Sequence, residues 1–404
     1  MENKFWKCNT CAKEFGIGES FEIEYELKCP VCAGTLELSF RRLFPWSDLN
    51  QETRGIVRYE ALLPVSLKNL SVICDAKTPE FTEPINAPNL AKMIGAKTLH
   101  LLPCISGPGG TFKDVEAALV VSKCIEWNLQ NRRLSWHSTG NTARAYREYA
   151  IRGGFSSNSY FPLSCLYKWN GIQENKNNTL IAYAGPFQKI SEIAKKISKE
   201  KNTLHLAPLA WKIEGKAPIA YAIMEKLSET GTIVQTIAGG YGPLGMYLGL
   251  KRLKGLSLLA EIPRFEMYQI EGADTIARLL PLDREIIETD LKLAVNPYEP
   301  TLQSTNPLST FNQVREMVKA TGSTVTSVSV DKIQASKDIF AEECAKLGIN
   351  ISFEDEKSPF ISWAGLLGEI EKGRSFADQD MVLVVTGSPQ RPKVSAPSHE
   401  VIKS

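Results

Sequence analysis

Residues 232–253, "TIVQTIAGGYGPLGMYLGLKRL", carry three successive signals. The β-branched run at the start predicts a buried strand, "AGGYGPLG" (238–245) a tight loop, and the apolar spacing beyond it a helix. Gly240, Gly242 and Gly245 spell G-x-G-x-x-G. Such a loop at a helix start turns unpaired backbone N–H groups toward a phosphate. The glycines alone leave open whether that phosphate belongs to a dinucleotide, to another cofactor, or is absent.

The same strand, loop and helix rhythm extends in both directions. "KTLHLLP" (97–103), "RRLSWH" (132–137), "FSSNSYFP" (155–162), "TLIAYAG" (179–185), "LSLLAEI" (256–262) and "MVLVVTG" (381–387) read as strands. Helical runs over about 111–130, 141–152 and 186–200 separate several of them. Strands alternating with helices of this length predict an α/β fold with mainly parallel sheets. Residues 264–330 read as helix and loop, and the last dozen residues as a frayed tail. A chain of 404 residues has room for two or three domains.

Lys and Arg number 47 against 45 for Asp and Glu, a balance that gives no pull toward nucleic acid or acidic membranes. No apolar run is long enough to span a membrane, and the N-terminus lacks the apolar core of a signal peptide. Five of the nine cysteines are scattered singly, as expected in a reducing, cytoplasmic compartment. The other four form two C-x-x-C knuckles, Cys8/Cys11 and Cys29/Cys32, separated by 17 residues. That spacing predicts a four-cysteine, Zn²⁺-binding ribbon over residues 1–40, with "FEIEYELK" (21–28) as a hairpin strand between the knuckles. The segment holds four Lys against seven Glu, so a structural ribbon is expected rather than a nucleic-acid reader.

Two further loops open at strand ends. "SGPGGTFKD" (106–114) places Lys113 in the first turn of a helix, where the positive end of the dipole disfavours an ammonium. A neutral lysine amine forms Schiff bases; an exposed helix-start lysine is the plain alternative. "SWHSTGNTARA" (135–145) sets hydroxyls and free amides at another helix start, suited to a carboxylate or merely to capping. All three loops lie at the carboxyl ends of strands, where ligands bind in such folds.

With these loops in order, the sequence resembles the fold-type-II pyridoxal-phosphate enzymes, and within them threonine synthase. "SGPGGTFKDVEA" is similar to the family's lysine motif, "STGNTARA" to S-x-G-N-T-x-R-A, "AGGYGPLG" to its phosphate loop, "VRYEALLPV" (57–65) to an early core motif, and "TGSPQRP" (386–392) in part to a late one. The resemblance implies two mainly parallel α/β domains with flanking helices behind the ribbon. Residues 41–95 and 206–404 would form the large one, and residues 96–205 a smaller one carrying the lysine and the STGNT loop. It implies that Lys113 holds pyridoxal phosphate as a Schiff base and that Asn141 bonds its phenolic oxygen. Ser138, Thr139, Gly140 and Thr142 would bind the substrate carboxylate. Gly239, Gly240, Tyr241, Gly242 and Pro243 would donate amides to the cofactor phosphate. Thr386 would face the pyridine nitrogen, and a hydroxyl there leaves that nitrogen largely neutral.

The implied activity is elimination and replacement at the β or γ carbon of an amino acid, in a homodimer, with no nucleic-acid or membrane partner. Cysteate-synthase-like replacement is the alternative within the family. Val115 and Glu116 stand where the family pattern has Arg after K-D, so substrate identity is less fixed than cofactor identity. Arg144 and Lys189 are candidate contacts for an anionic group of the substrate, and His137 adjoins the STG loop. Outside the family, Glu261 lies 21 residues after Gly240, the spacing of a dinucleotide site, which makes an NAD-dependent dehydrogenase the rival reading. A non-catalytic scaffold of the same fold is another.

Overall fold

The computed structural model describes all residues except 1–2, 20–21, 23–26, 186, 207–208, 283, 285, 288–289, 291–297, 299–301, 303–307, 388–397 and 404. Three sheets organise the chain. The N-terminal segment folds as an antiparallel sheet of β1 (Lys4–Cys8), β2 (Glu14–Phe15) and β3 (Leu36–Phe40), in the order β2-β1-β3. The strand expected over 21–28 lies largely outside the described residues.

The main sheet has six strands: β4 (Ile85–Asn86), β5 (Thr98–Pro103), β10 (Thr232–Thr236), β11 (Arg264–Ile270), β12 (Thr324–Val328) and β13 (Asp380–Val385). Their order is β12-β11-β10-β13-β5-β4, parallel throughout except for the short edge strand β4. The second sheet is wholly parallel, built from β6 (Leu134–His137), β7 (Ser157–Pro162), β8 (Asn178–Ala184), β9 (Leu204–His205) and β14 (Glu400–Lys403) in the order β14-β8-β7-β6-β9. The parallel strands read as apolar runs because helices cover both faces of such sheets.

Four placements differ from the sequence reading. The strand before the Lys113 loop, β5, belongs to the six-stranded sheet, because it pairs along its whole length with β13. The apolar "LSLLAEI" forms no strand. It ends the preceding helix in turns, with Ser257 at φ +59°, and the strand starts later at Arg264. Residues 264–330 hold two strands, β11 and β12, rather than helix and loop alone. Glu400–Lys403, expected to fray, pairs with β8 as an edge strand.

The ribbon docks through a buried polar knot. Glu22 accepts hydrogen bonds from the indole nitrogens of Trp6 (2.6 Å) and Trp127 (2.9 Å) and pairs with Lys123 (2.6 Å), which also meets Glu126. Trp211 donates to the Glu22 carbonyl at 3.3 Å. Glu22 and Lys123 are fully buried. Trp6 and Glu22 belong to the ribbon, Lys123 and Glu126 to the helix Lys113–Glu126, so ribbon and helix share one desolvated charge cluster.

Candidate functional site

β10, β13 and β5 are neighbours in the main sheet, and their carboxyl ends bring three loops together. From β5 the chain runs through the glycine-rich loop to the helix that opens at Lys113. The Asp114 carboxylate shapes this loop by accepting the amides of Gly109 (2.8 Å) and Thr111 (3.1 Å), and burial pushes its carboxyl up to about 7. From β13 comes Thr386, whose carbonyl accepts the Phe112 amide at 2.8 Å, one residue before Lys113. From β10 comes the phosphate-type loop and the helix Tyr241–Gly255.

Gly240 caps that helix at φ +88°, a conformation side chains rarely adopt. Gly242 is required for a different reason: a Cβ there would lie 2.6 Å from the Gln235 amide nitrogen and 3.0 Å from the Phe112 ring. The lysine loop and the glycine loop are therefore in close contact. Pro243, expected among the amide donors, has no N–H and cannot donate; as the third residue of the helix it contributes shape alone.

Lys113 Nζ lies 3.7 Å from Glu116 Oε2, which also pairs with Lys216 at 2.5 Å. Glu116 and Lys216 are fully buried, whereas the Lys113 side chain is 22% exposed, open to a ligand. Burial opposes ionisation of Glu116, but Lys113, Lys216 and Lys212 outweigh it and hold the carboxyl below its ordinary value. Burial brings the Lys216 ammonium down to about 7 against the pull of Glu116. Val115 is packed in the core. Where the family pattern has an arginine, this chain has a core valine followed by a carboxylate matched to a lysine a hundred residues on.

The second sheet supplies the "STGNT" loop after β6 and the helix Asn141–Arg152. The Ser138 hydroxyl accepts the amides of Gly140 (3.0 Å) and Ala143 (2.9 Å), the capping role expected as the plain alternative. Gly140 abuts Lys168, with a built Cβ 2.8 Å from Lys168 Cβ, while Thr139, Asn141 and Thr142 remain partly exposed. Asn141 Nδ2 donates to Glu356 Oε2, which receives Lys168 Nζ at 3.0 Å. Arg144 is turned to the carbonyls of Lys168 (2.9 Å) and Asn170 (3.2 Å), and Lys189 is exposed on its helix. Sequence reading missed Glu356, Lys168, Lys216 and Gln235: the pairs Lys168–Glu356 and Lys216–Glu116 join distant segments, and Gln235 is one residue of an apolar strand; only Glu116 stood out, as a departure from the pattern. The "SPQRP" half of the late motif falls at 388–392, outside the described residues.

His137 Nδ1 lies 3.0 Å from His205 Nε2, and His205 Nδ1 lies 3.0 Å from the Ser135 hydroxyl. Burial first, with Lys212 and Lys195 nearby, holds His137 down at about 3 and His205 at about 4. Both folded-state values lie below the unfolded value of about 6.5. The unfolded chain therefore takes up more protons than the folded one between roughly pH 6.5 and 3, and stability falls as pH drops through that window. Urea midpoints measured from pH 7 to pH 4 should decline, and the double variant His137→Gln, His205→Gln should flatten the decline; an unchanged slope would refute this account.

The chain belongs to the pyridoxal-phosphate dependent enzyme family, which it matches over residues 77–346. It has the fold-type-II α/β architecture of that family, with a four-cysteine N-terminal cluster compatible with a zinc ribbon. Among solved structures it is similar to pyridoxal-phosphate-bound threonine synthase from Brucella melitensis (12% identity, 99% of this chain and 96% of that one, TM-score 0.63). It is likewise similar to maize serine racemase (18%, 81% and 96%, 0.61) and to threonine deaminase isoform 2 from Solanum lycopersicum (15%, 80% and 86%, 0.57). At these identities the likeness concerns the fold. No curated protein matches the sequence.

The residues present suit that cofactor. Gln235 is wholly buried beside Gly242, and neither end of its amide has a hydrogen-bond partner among the described residues. Glu116 Oε1 is likewise unpartnered. Buried polar atoms left without partners where the two loops meet are ones that a bound polar group could satisfy. The dinucleotide reading loses its acidic residue: Glu261 precedes β11 instead of ending a strand, and its side chain is 91% exposed.

The four knuckle thiols lie within 4.8 Å of one another. Cys8 and Cys32 are 3.5 Å apart, Cys11 and Cys29 3.7 Å, near the roughly 3.8 Å that tetrahedral thiolates at 2.3 Å from zinc would show. Thr10 and Cys11 amides point at Cys8 Sγ, and the Val31 amide at Cys29 Sγ.

Proposed function

We propose that this protein is a pyridoxal-phosphate-dependent lyase or synthase resembling threonine synthase, acting by elimination and replacement at the β or γ carbon of an amino acid. The observation that carries the reading is the approach of Lys113, Thr386 and the 239–243 loop at three adjacent strand ends, with a buried, unsatisfied Gln235 between the lysine and glycine loops. When bound, pyridoxal phosphate draws electron density from the substrate's Cα. Lys113 Nζ would hold the cofactor through its aldehyde group, and as a free amine it would be the base placed to take the substrate's Cα proton. The amides of Gly239, Gly240, Tyr241 and Gly242 hold its phosphate, with Pro243 fixing the turn. Asn141 would bond the cofactor's phenolic oxygen, and Thr386 would face its ring nitrogen. Ser138, Thr139, Gly140 and Thr142 orient the substrate carboxylate.

Cys8, Cys11, Cys29 and Cys32 bind one structural Zn²⁺. The two sheets form a larger unit and a smaller one closing over the cleft. The enzyme works as a cytoplasmic homodimer on a small amino-acid substrate, in keeping with nine unbridged cysteines and the lack, among the described residues, of any helix able to cross a membrane.

Two measurements test this. The purified protein should be yellow, and its visible band should shift with one of phosphohomoserine, phosphoserine or acetylserine, with the product then identified by mass. A protein that takes up no pyridoxal phosphate sinks the reading, and one that binds it but answers to no amino acid favours an inert scaffold. Metal analysis should give one zinc per chain, lost in Cys11→Ser; an intact, stable ribbon with no metal would remove the zinc assignment.

A further inference from the structure

Glu116 stands one helical turn after Lys113, the spacing at which a lysine and a glutamate on one helix pair. Yet Glu116 Oε2 lies 2.5 Å from Lys216 Nζ and 3.7 Å from Lys113 Nζ. Among the described residues these two lysines are its ion-pair partners, and the nearer one lies 100 positions along the chain. Both amines flank one ring, at 4.7 Å (Lys113) and 4.6 Å (Lys216) from the Phe112 centroid.

The backbone is shaped to deliver Lys216 to this carboxylate. A Cβ on Gly215 would lie 2.6 Å from Glu116 Cα, so a glycine there lets the segment come close to the helix. A Cβ on Gly245, in the helix after the phosphate-type loop, would run into the Lys216 side chain. Lys216 is fully buried at the start of the helix Ala217–Lys226, where the dipole disfavours a cation. Glu116 is its one ion-pair partner among the described residues.

A buried carboxylate with a single lysine in reach holds that lysine tightly. Bonding to an aldehyde needs the reverse. The amine nitrogen must offer its lone pair to the aldehyde carbon; the carbon–oxygen bond then breaks, and the oxygen leaves as water with the two amine protons. An ammonium clamped on a carboxylate has no lone pair to offer. We propose that Lys216 is a positioning residue that takes up Glu116 and so keeps the Lys113 amine free to bond the cofactor. This rests on the proposed function.

The test uses the full-length chain, freed of cofactor and then supplied with pyridoxal phosphate. Growth of the visible band gives the rate of bond formation, and borohydride trapping with peptide mapping gives its extent at Lys113. An analogue with a methyl group in place of the aldehyde reports binding without bond formation. Lys216→Met should bind the analogue as the wild type does but form the bond roughly tenfold or more slowly, because a buried pair must first be broken. Glu116→Gln should form it at least as fast as the wild type, and Lys216→Met combined with Glu116→Gln should regain the lost rate. Wild-type rates in Lys216→Met, a double variant no faster than Lys216→Met, or a slowed Glu116→Gln each overturn the inference while leaving the proposed function standing. If Lys216→Met does not fold, Glu116→Gln and the double variant decide: wild-type rates support the inference and slowed rates overturn it. A wild-type chain that binds neither pyridoxal phosphate nor the analogue overturns both.

Discussion

Replacing Lys113 with alanine is expected to abolish turnover and covalent cofactor attachment together. Removing a positioned general base alone costs roughly 10²–10⁴-fold, and Lys113 is also the anchor of the cofactor, so the fall should reach at least the upper end of that range. Borohydride treatment of the wild type should fix the cofactor on the Lys113 peptide. The discriminating competitor is Lys216, whose ammonium is brought down to about 7 by burial and whose amine is chemically suited to an aldehyde. Lys216 is fully buried and engaged with Glu116, whereas Lys113 is partly open. Label on the Lys216 peptide, or full activity in Lys113→Ala, would overturn the assignment.

Glu22→Ala is the substitution with the largest expected effect on stability. It leaves the Lys123 ammonium in a buried box with Glu126 as its remaining carboxylate, and deprives the indoles of Trp6 and Trp127 of their acceptor. Breaking a buried ion pair by removing one partner costs about 3–5 kcal/mol. A urea titration followed by tryptophan fluorescence should show that loss, because three tryptophans surround the site. A destabilisation under about 1 kcal/mol, typical of exposed pairs, would show that the knot does not hold the ribbon to the body.

The units visible in sequence are those whose signal is local. β5, β6 and β10, with their loops, announce themselves because an apolar run, glycine and a helix start follow one another closely, and β13 because "MVLVVTG" is an unbroken apolar run ending in a loop. β11 did not, since "RFEMYQI" carries Arg, Glu and Gln in a strand buried on both faces. The Glu and the Gln find partners outside the strand: Glu266 in Arg374 and in Thr324 at 2.7 Å, Gln269 in the Ala238 carbonyl and the Ala277 amide. Hydropathy therefore favoured the neighbouring "LSLLAEI", which only closes a helix. The site divides in the same way. Lys113, Asn141 and the glycine loop lie in recognisable contexts, whereas "SFEDEKS" around Glu356 reads as a solvated acidic turn. Nothing local says that Lys168, some 188 residues earlier, will desolvate with it.

The pairing of β5 with β13 also fixes when the site can exist. Thr98 and Asp380, hydrogen-bonded at 2.8 Å, are 282 residues apart, and β13 must settle between β10 and β5, both made long before it. Contacts so distant in sequence are slow to form and leave the waiting strands exposed. During synthesis, the lysine loop and the phosphate loop emerge first and face an open slot in the sheet. Only after nearly the whole chain has left the ribosome does the last central strand bring Thr386 to the Phe112 amide. A chain stopped short of residue 380 would have every glycine of the phosphate loop and the lysine itself, yet no assembled cleft.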